Sequence, residues 1–118
     1  MSSATVLTEV VFLSPADGGR QQPPVLTSST YRPHVVVQDR QVRQARVRDG
    51  NVVDEEYLGV TFLEGPKELR FGEPAKILLR LNYPNVDYSS LCVGASFTVR
   101  EGAKVVGHGI VLETGGAG

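Results

Sequence analysis

The residues whose types could support catalysis or metal binding are few and scattered. His34 and His108 are far apart and each lies in a strand-like pattern. A metal site usually needs three or four protein ligands, so both are interpreted as partly exposed strand residues. Cys92, the only cysteine, has no disulfide partner and no evident base beside it. Neither a phosphate-binding G-x-x-x-x-G-K-[ST] loop nor a G-x-S-x-G nucleophile turn occurs. The sequence therefore predicts a protein that is not an enzyme and has no metal, cofactor or bound nucleotide.

The densest charged cluster is a run of arginines followed by a run of acids: Arg40, Arg43, Arg46 and Arg48, then Asp54, Glu55 and Glu56. Between the two runs lies Asp49-Gly50, a dipeptide typical of tight hairpin turns. Two interpretations stay open, of which the first is favoured: ion pairs across the hairpin, or a phosphate-binding stripe. Neighbouring strand residues point to opposite faces. The acidic run is therefore read as a solvated strand start rather than a catalytic pair.

Two glycine turns could present binding groups. In "ADGGR" the successive glycine amides beside Arg20 could cradle an anion, although an ordinary turn is favoured. The second turn closes the hairpin "FTVREGAKVVGHGIVL". Alternation along its first strand places Ala95, Phe97 and Val99 on one face and Ser96, Thr98 and Arg100 on the other. Gly102 can adopt positive φ at the tip. We expect Arg100 and Glu101 to be held outward there.

The elements that must position these residues are short strands. Apolar residues recur with a period near two and each run ends in turn residues, which predicts an all-β protein. Six or seven strands in 118 residues favour a closed barrel, because closure leaves no unpaired edge. We expect a single domain over 1–118, with a core over about 5–112 and a flexible tail over 113–118. The strands are predicted at 6–14, 34–38, 41–48, 51–63, 75–81, 95–100 and 104–112.

Composition limits the function. Of the 118 residues, 41% are hydrophobic and 21% charged, and the formal net charge is −1. A charge so small excludes nucleic-acid binding driven by the field of the whole molecule, so any RNA contact must use a local patch. The start of the chain has no signal-peptide pattern and no apolar run reaches membrane length. A cytoplasmic protein without membrane contact is expected.

Four stretches of the sequence carry a resemblance to a known family, and they occur in this order: "EVVFLSPADGGR", "YRPHVVV", "GEPAKILLRLNYP" and "FTVREGAKVVGHGIV". Together they resemble the third domain of elongation factor Tu, its C-terminal β-barrel, over about 5–112. The resemblance implies a six-stranded antiparallel barrel that does not itself hydrolyse GTP. In that family the domain grips the T-stem side of aminoacyl-tRNA and contacts the nucleotide exchange factor. A stand-alone barrel and a piece of a longer protein both remain open.

The family's RNA-contact positions are only partly matched. Arg20, and Arg100, Glu101 and Gly102 of the hairpin tip, match the family, whereas His34 and Tyr83 replace its usual residues. The segment between Val37 and Gly72 is longer than in the family, which adds the charged hairpin. We therefore predict a non-catalytic protein-interaction barrel linked to translation factors. The alternative is a stand-alone module for tRNA or another structured RNA. The candidate contacts are Arg20, His34, Tyr83, Arg100, Glu101 and Gly102, with Arg43, Arg46 and Arg48 as a further basic contact.

Overall fold

The computed structural model describes residues 4–26, 30–45, 47–52 and 55–115, and their regular structure is strand apart from one 3-10 turn at Pro15–Asp17. The strands are β1 (Thr5–Phe12), β2 (His34–Val37), β3 (Val47–Arg48), β4 (Asn51–Val52), β5 (Leu58–Glu64), β6 (Ala75–Leu81), β7 (Ser96–Glu101) and β8 (Lys104–Gly115). Six of them form a closed barrel in the order β1-β6-β5-β2-β7-β8, with every pair antiparallel. The prediction of an all-β, six-stranded antiparallel closed barrel is confirmed.

The barrel interior is filled by alternate residues of each strand. In β1, burial alternates strictly, and Val6, Val10 and Phe12 point into the core. Thr8 occupies the remaining inward position, where its hydroxyl donates to the carbonyl oxygen of Ile77 at 2.8 Å. This bond satisfies a polar group that would otherwise be costly to bury. β1 pairs with β6 on one side and with β8 on the other, and this pairing of the first strand with the last closes the barrel.

The β7–β8 hairpin has the faces that alternation predicts. Phe97 and Val99 belong to the core, with Ala95 packed against it. Gly109 of β8 faces Phe97 so closely that an added Cβ would lie 2.6 Å from the Cζ atom of that ring. Glycine at this position therefore makes room for the aromatic side chain.

Residues 38–57, which we call the β2–β5 connection, cross the outer faces of β7 and β8. Gln38 lies beside Thr98 of β7, and Gln44 forms an isolated antiparallel bridge with Lys104 at the start of β8. The predicted turn at Asp49-Gly50 is confirmed, since both residues have positive φ, 54° and 80°. The long arms predicted for this hairpin are wrong. Among the described residues, strand pairing covers only two residues on each side, and Gln38, Gln44 and Glu55 contact the barrel instead.

The ends of β1 and β8 differ from the prediction. β1 ends at Phe12, because the Ser14-Pro15 step begins the 3-10 turn. β8 continues to Gly115, beyond the predicted core limit of 112, because the first residues of β1 supply its pairing partners. The rest of the predicted tail, 116–118, lies outside the described residues. In the part of the chain that the structure describes, no helix is long and apolar enough to cross a bilayer.

Candidate functional site

The Gly-Gly-Arg turn is an ordinary turn, as favoured from the sequence. The amide of Gly18 donates to the carbonyl oxygen of Pro15, and that of Gly19 donates to Ser14. Both amides are thus occupied within the chain, which leaves no nest of free N–H groups for an anion. The turn instead directs Arg20 toward the end of the barrel, where its Nε donates to the carbonyl oxygen of Gln22 at 2.9 Å.

Arg20 and Glu101 form an ion pair in which Tyr31 takes part. The guanidinium of Arg20 bonds to Oε2 of Glu101, and the same oxygen accepts the Tyr31 hydroxyl at 2.7 Å. Arg20 also lies over the Tyr31 ring, 5.1 Å from its centre. Burial, followed by the hydrogen bond to Glu101 and its negative charge, raises the pKa of Tyr31. Two predicted contact residues, Arg20 and Glu101, therefore lie together but are mutually satisfied, while Gly102 beside them is exposed at the turn with φ of 61°.

The expectation that Arg100 is held out at an exposed hairpin tip is wrong. Its side chain does point away from the core, but it is 0% exposed because the β2–β5 connection lies over it. Glu55 accepts two hydrogen bonds from its guanidinium, at 3.0 and 2.6 Å. The remaining donors reach the Tyr57 hydroxyl at 2.9 Å, Gln38 Oε1 at 2.6 Å and Thr98 Oγ1 at 3.0 Å. All these contacts are internal, so Arg100 has no surface to offer a partner.

The buried ion pair also corrects the interpretation of the acidic run. The Glu55 side chain is only 2% exposed and lies before β5, so it is not part of a solvated strand start. Burial alone would lower the pKa of Arg100, but the hydrogen bond and negative charge of Glu55, together with Tyr57, outweigh it and raise that pKa. Glu56 is exposed as expected, and Asp54 lies outside the described residues.

The arginines of the β2–β5 connection have separate surroundings. Arg43 is exposed and donates to the carbonyl oxygens of Arg40 and Val42, and Arg48 lies opposite Asn51 in the β3–β4 hairpin. Arg46 lies outside the described residues. The ion pair that Glu55 forms with Arg100 of β7 was not anticipated from the hairpin, because it joins the connection to the barrel.

His34 and Tyr83 line one groove, which we call the basic groove and define by Arg32, Pro33, His34, Gly59, Arg80, Asn82 and Tyr83. It has a volume of about 370 Å³ and lies on the outer face of β2, β5 and β6. His34 stands opposite Gly59 across the β2–β5 ladder, on the face opposite the core residues Val35 and Leu58. The structure thus joins two predicted contact residues that lie far apart in the sequence.

Gly59 is the floor of the basic groove. An added Cβ there would lie 2.4 Å from Cε2 of Tyr83, so the tyrosine ring rests directly on the glycine. The loop that carries Tyr83 is fixed by Tyr88, whose hydroxyl donates to the Gly59 carbonyl at 2.7 Å and accepts the Tyr83 amide at 3.2 Å. Asn82 is fixed in turn by the Thr61 hydroxyl at 2.7 Å. The backbone at Tyr83 is therefore held in place, while the residue itself is 51% exposed.

The basic groove combines positive charge with an exposed aromatic ring. Arg32 and Arg80 line it, and neither forms an ion pair with another described residue. Together with His34, Asn82 and Tyr83 they offer hydrogen-bond donors and a ring face, and no carboxylate is among the described residues that line the groove. Such a surface can bind phosphate or carboxylate groups and stack on a flat ligand. The sequence interpretation missed both arginines. Their signal was present: Arg80 is a polar member of an otherwise apolar strand, and Arg32 lies in the Tyr-Arg-Pro motif.

The residues that could bind a metal do not converge. Across the described ranges, no group of three or more His, Cys, Asp or Glu side chains could hold an ion. Both histidines lie in strands and are partly buried, as predicted, and Cys92 is free and exposed. His108 is distinguished by its Nδ1 atom, which is buried without a hydrogen-bond partner.

No protein-family model matches the chain, and no curated protein matches it.

Proposed function

We propose that this protein is a non-catalytic binding module whose basic groove receives the backbone of a structured RNA. The observation that supports the proposal is the convergence of Arg32, Arg80, His34 and the exposed Tyr83 in a groove without carboxylates. Arginine suits phosphate oxygens because its N–H groups form a planar fork. Tyrosine can stack on a base or bond to a ribose hydroxyl, which is how single-stranded and loop regions of RNA are often recognised.

The resemblance to the third domain of elongation factor Tu agrees with this proposal but changes the residues involved. In that family the hairpin tip lies against RNA. Here Arg100 is covered and Arg20 is paired with Glu101, whereas Gly102 remains exposed. The principal contact therefore moves to His34 and Tyr83, with the two groove arginines. With a net charge of −1 the affinity is expected to be modest and to fall as salt rises.

Protein docking linked to translation factors is the second candidate function. It is supported by the β2–β5 connection, which covers one wall of the barrel and presents exposed Arg43, Val47 and Arg48. An interface that uses Arg43 and Arg48 would itself weaken as salt rises. A variant of the basic groove, which should weaken RNA binding only, therefore discriminates between the two functions.

The first experiment is titration of the protein with labelled tRNA and with an RNA hairpin at low and moderate salt. We expect saturable binding that weakens as salt rises. The R80Q variant should weaken binding about fivefold and lower the salt slope by about one, because one phosphate contact is lost. The matched control is R70Q, since Arg70 is an exposed arginine, 66% accessible, that lies outside the groove.

Two results would contradict the RNA proposal. One is absence of binding to either RNA at low salt, and the other is an equal effect of R70Q and R80Q. In either case the groove is not an RNA site, and the protein-docking candidate takes precedence.

A further inference from the structure

A second cleft lies between the β2–β5 connection and the β7–β8 hairpin. Its volume is about 540 Å³. We call it the connection cleft and define it by the residues that line it: Gly18, Arg43, Gln44, Ala45, Val47, Ala103, Lys104 and Val105. The Gln44–Lys104 bridge joins the two sides, so the cleft exists only because the connection reaches the start of β8. It shares no residue with the basic groove.

The charged residues among the described lining of the connection cleft have one sign. They are Arg43 and Lys104, both exposed, and no described lining residue is a carboxylate. Lys104 forms no ion pair with any residue in the described ranges. The Nη1 atom of Arg43 bonds to backbone carbonyls within the connection, which fixes the side chain while its other guanidinium nitrogens form no described contact. The cleft therefore has two positive charges with capacity for acidic groups, of which that of Arg43 is held in place.

Between these charges the lining is apolar. Ala45, Val47, Ala103 and Val105 contribute small aliphatic side chains. Val105 is almost fully buried, whereas Val47 is 56% exposed on the short β3–β4 hairpin. A valine exposed to this extent beside a concave surface is a typical anchor for a partner's apolar side chain.

We propose that the connection cleft binds an extended acidic segment of a protein partner. In an extended chain, successive side chains point to opposite sides. An apolar residue of that chain would then contact the exposed Val47, while the acidic residues on either side of it reach Arg43 and Lys104. RNA fits this cleft less well, because the cleft has an aliphatic lining and no aromatic side chain. The site goes beyond the proposed function, since it would operate whether or not the basic groove binds RNA.

The test uses a fluorescein-labelled peptide of about ten residues in which glutamate alternates with valine. Its two control peptides pair glutamate with serine and lysine with valine. We expect saturable binding of the glutamate–valine peptide and binding at least about tenfold weaker for both controls, since each lacks one of the two complementary features. The whole chain is used, and circular dichroism verifies that each variant is folded.

Two variants change the cleft without removing a described side-chain contact. K104E reverses the charge of an unpaired lysine, and V47D places a carboxylate at the exposed valine. Each should weaken peptide binding by about tenfold. The matched controls are K76E, at an exposed lysine of β6, and V93D, at a valine that is 61% exposed, and both should bind normally.

Several outcomes would overturn the proposal. The first is the absence of saturable binding at about 100 µM peptide, a concentration at which even a weak, transient contact is detected. The second is equal binding of the glutamate–serine peptide, and the third is an unchanged affinity of the K104E variant. Displacement of the peptide by the RNA hairpin would also overturn it, because the two ligands would then share one site. Failure of RNA binding alone leaves the peptide result unaffected, so the two proposals are tested separately.

Discussion

At the scale of single residues, Gly59 shapes the basic groove by having no side chain. It lies on the outer face of β5, where most strand residues would fill the space above the sheet. Tyr83 occupies that space with its ring, and the Tyr88 hydroxyl holds its backbone by accepting the Tyr83 amide. The orientation of the exposed aromatic ring in the groove therefore depends on the absence of a side chain at position 59.

We expect G59A to weaken RNA binding about as much as Y83A does. The new methyl group would lie 2.4 Å from the tyrosine ring, and the exposed ring would rotate away. Stability should change by less than about 1 kcal/mol, because the tyrosine is free to move toward solvent. RNA titration and urea denaturation of both single variants and the double variant test this. A further loss of affinity when G59A is added to Y83A would show that the glycine acts through some other group.

Residue-scale reasoning from the sequence succeeded for the inward face and failed for the outward one. Alternation placed Phe97 and Val99 in the core and Arg100 on the opposite face, and all three are so placed. An outward direction did not mean exposure. Burial of Arg100 depends on Glu55, Tyr57 and the rest of a segment distant in sequence, and no local pattern contains that information.

At the scale of elements, the β2–β5 connection is fixed to the barrel by the Arg100–Glu55 pair. Loops that lie on a surface are usually held weakly, but this one buries a charged group of the barrel wall. A buried charge that loses its partner is strongly unfavourable. The connection is therefore expected to unfold together with the barrel rather than separately.

E55Q should lower the free energy of unfolding by about 3 kcal/mol, because it leaves Arg100 buried without an opposite charge. R100Q should cost a similar amount, and a double-mutant cycle should give a coupling energy of about 2 kcal/mol. E68Q is the control. The Glu68–Arg70 pair, at 3.6 Å, is 77% and 66% exposed, and its loss should cost less than about 1 kcal/mol. Urea denaturation measures all four variants, and an E55Q variant as stable as E68Q would contradict the anchoring role.

The sequence predicted the elements of the barrel far better than those of the connection. The strand predicted at 75–81 has the observed bounds, Ala75–Leu81, because a period of two is strong where one face is buried. The connection was predicted as a long hairpin from its charges and its Asp-Gly turn. Only the turn is confirmed, since the side-chain contacts of Gln38 and Glu55 with the barrel compete with pairing between the arms.

At the scale of the whole molecule, stability should depend on the protonation of His108. Burial and the positive charges of Arg43 and Arg40 lower the pKa of this histidine below its ordinary value of 6.5. Its neighbours on the adjacent strands are Val11 and Thr98, which supply no compensating negative charge. The folded state therefore binds this proton less readily than the unfolded state does.

The sign of the pH dependence follows from this difference. Below about pH 6.5 the unfolded chain takes up a proton at His108 that the folded chain does not, so stability falls as pH falls. We expect H108Q to reduce the loss of stability between pH 7 and about pH 5.5, measured by urea denaturation at each pH. The H34Q variant is the control, because it also replaces a histidine that lies in a strand. If the stability of H108Q falls with pH as steeply as that of the parent protein, the pH dependence comes from other groups.

The functional surfaces are properties of the whole fold rather than of any motif. The basic groove takes residues from β2, β5, β6 and the loop that follows, and the connection cleft adds the turn after β1. His34 and Tyr83 were predicted as contacts through a resemblance, but their meeting over Gly59 depends on the pairing of β2 with β5 and of β5 with β6. The spacing of these residues along the chain does not predict this arrangement.

The role of β1 in closing the barrel also has a consequence for how the chain folds. Val10 pairs with Ala75 on one side and Gly109 on the other, so the first strand acquires its neighbours only after most of the sequence has been made. Pairings so distant in sequence make folding slow. Until β8 arrives, β1 has an open edge during synthesis on the ribosome. Synthesis of β8, rather than growth of the earlier segments, is therefore expected to set when this barrel first becomes native.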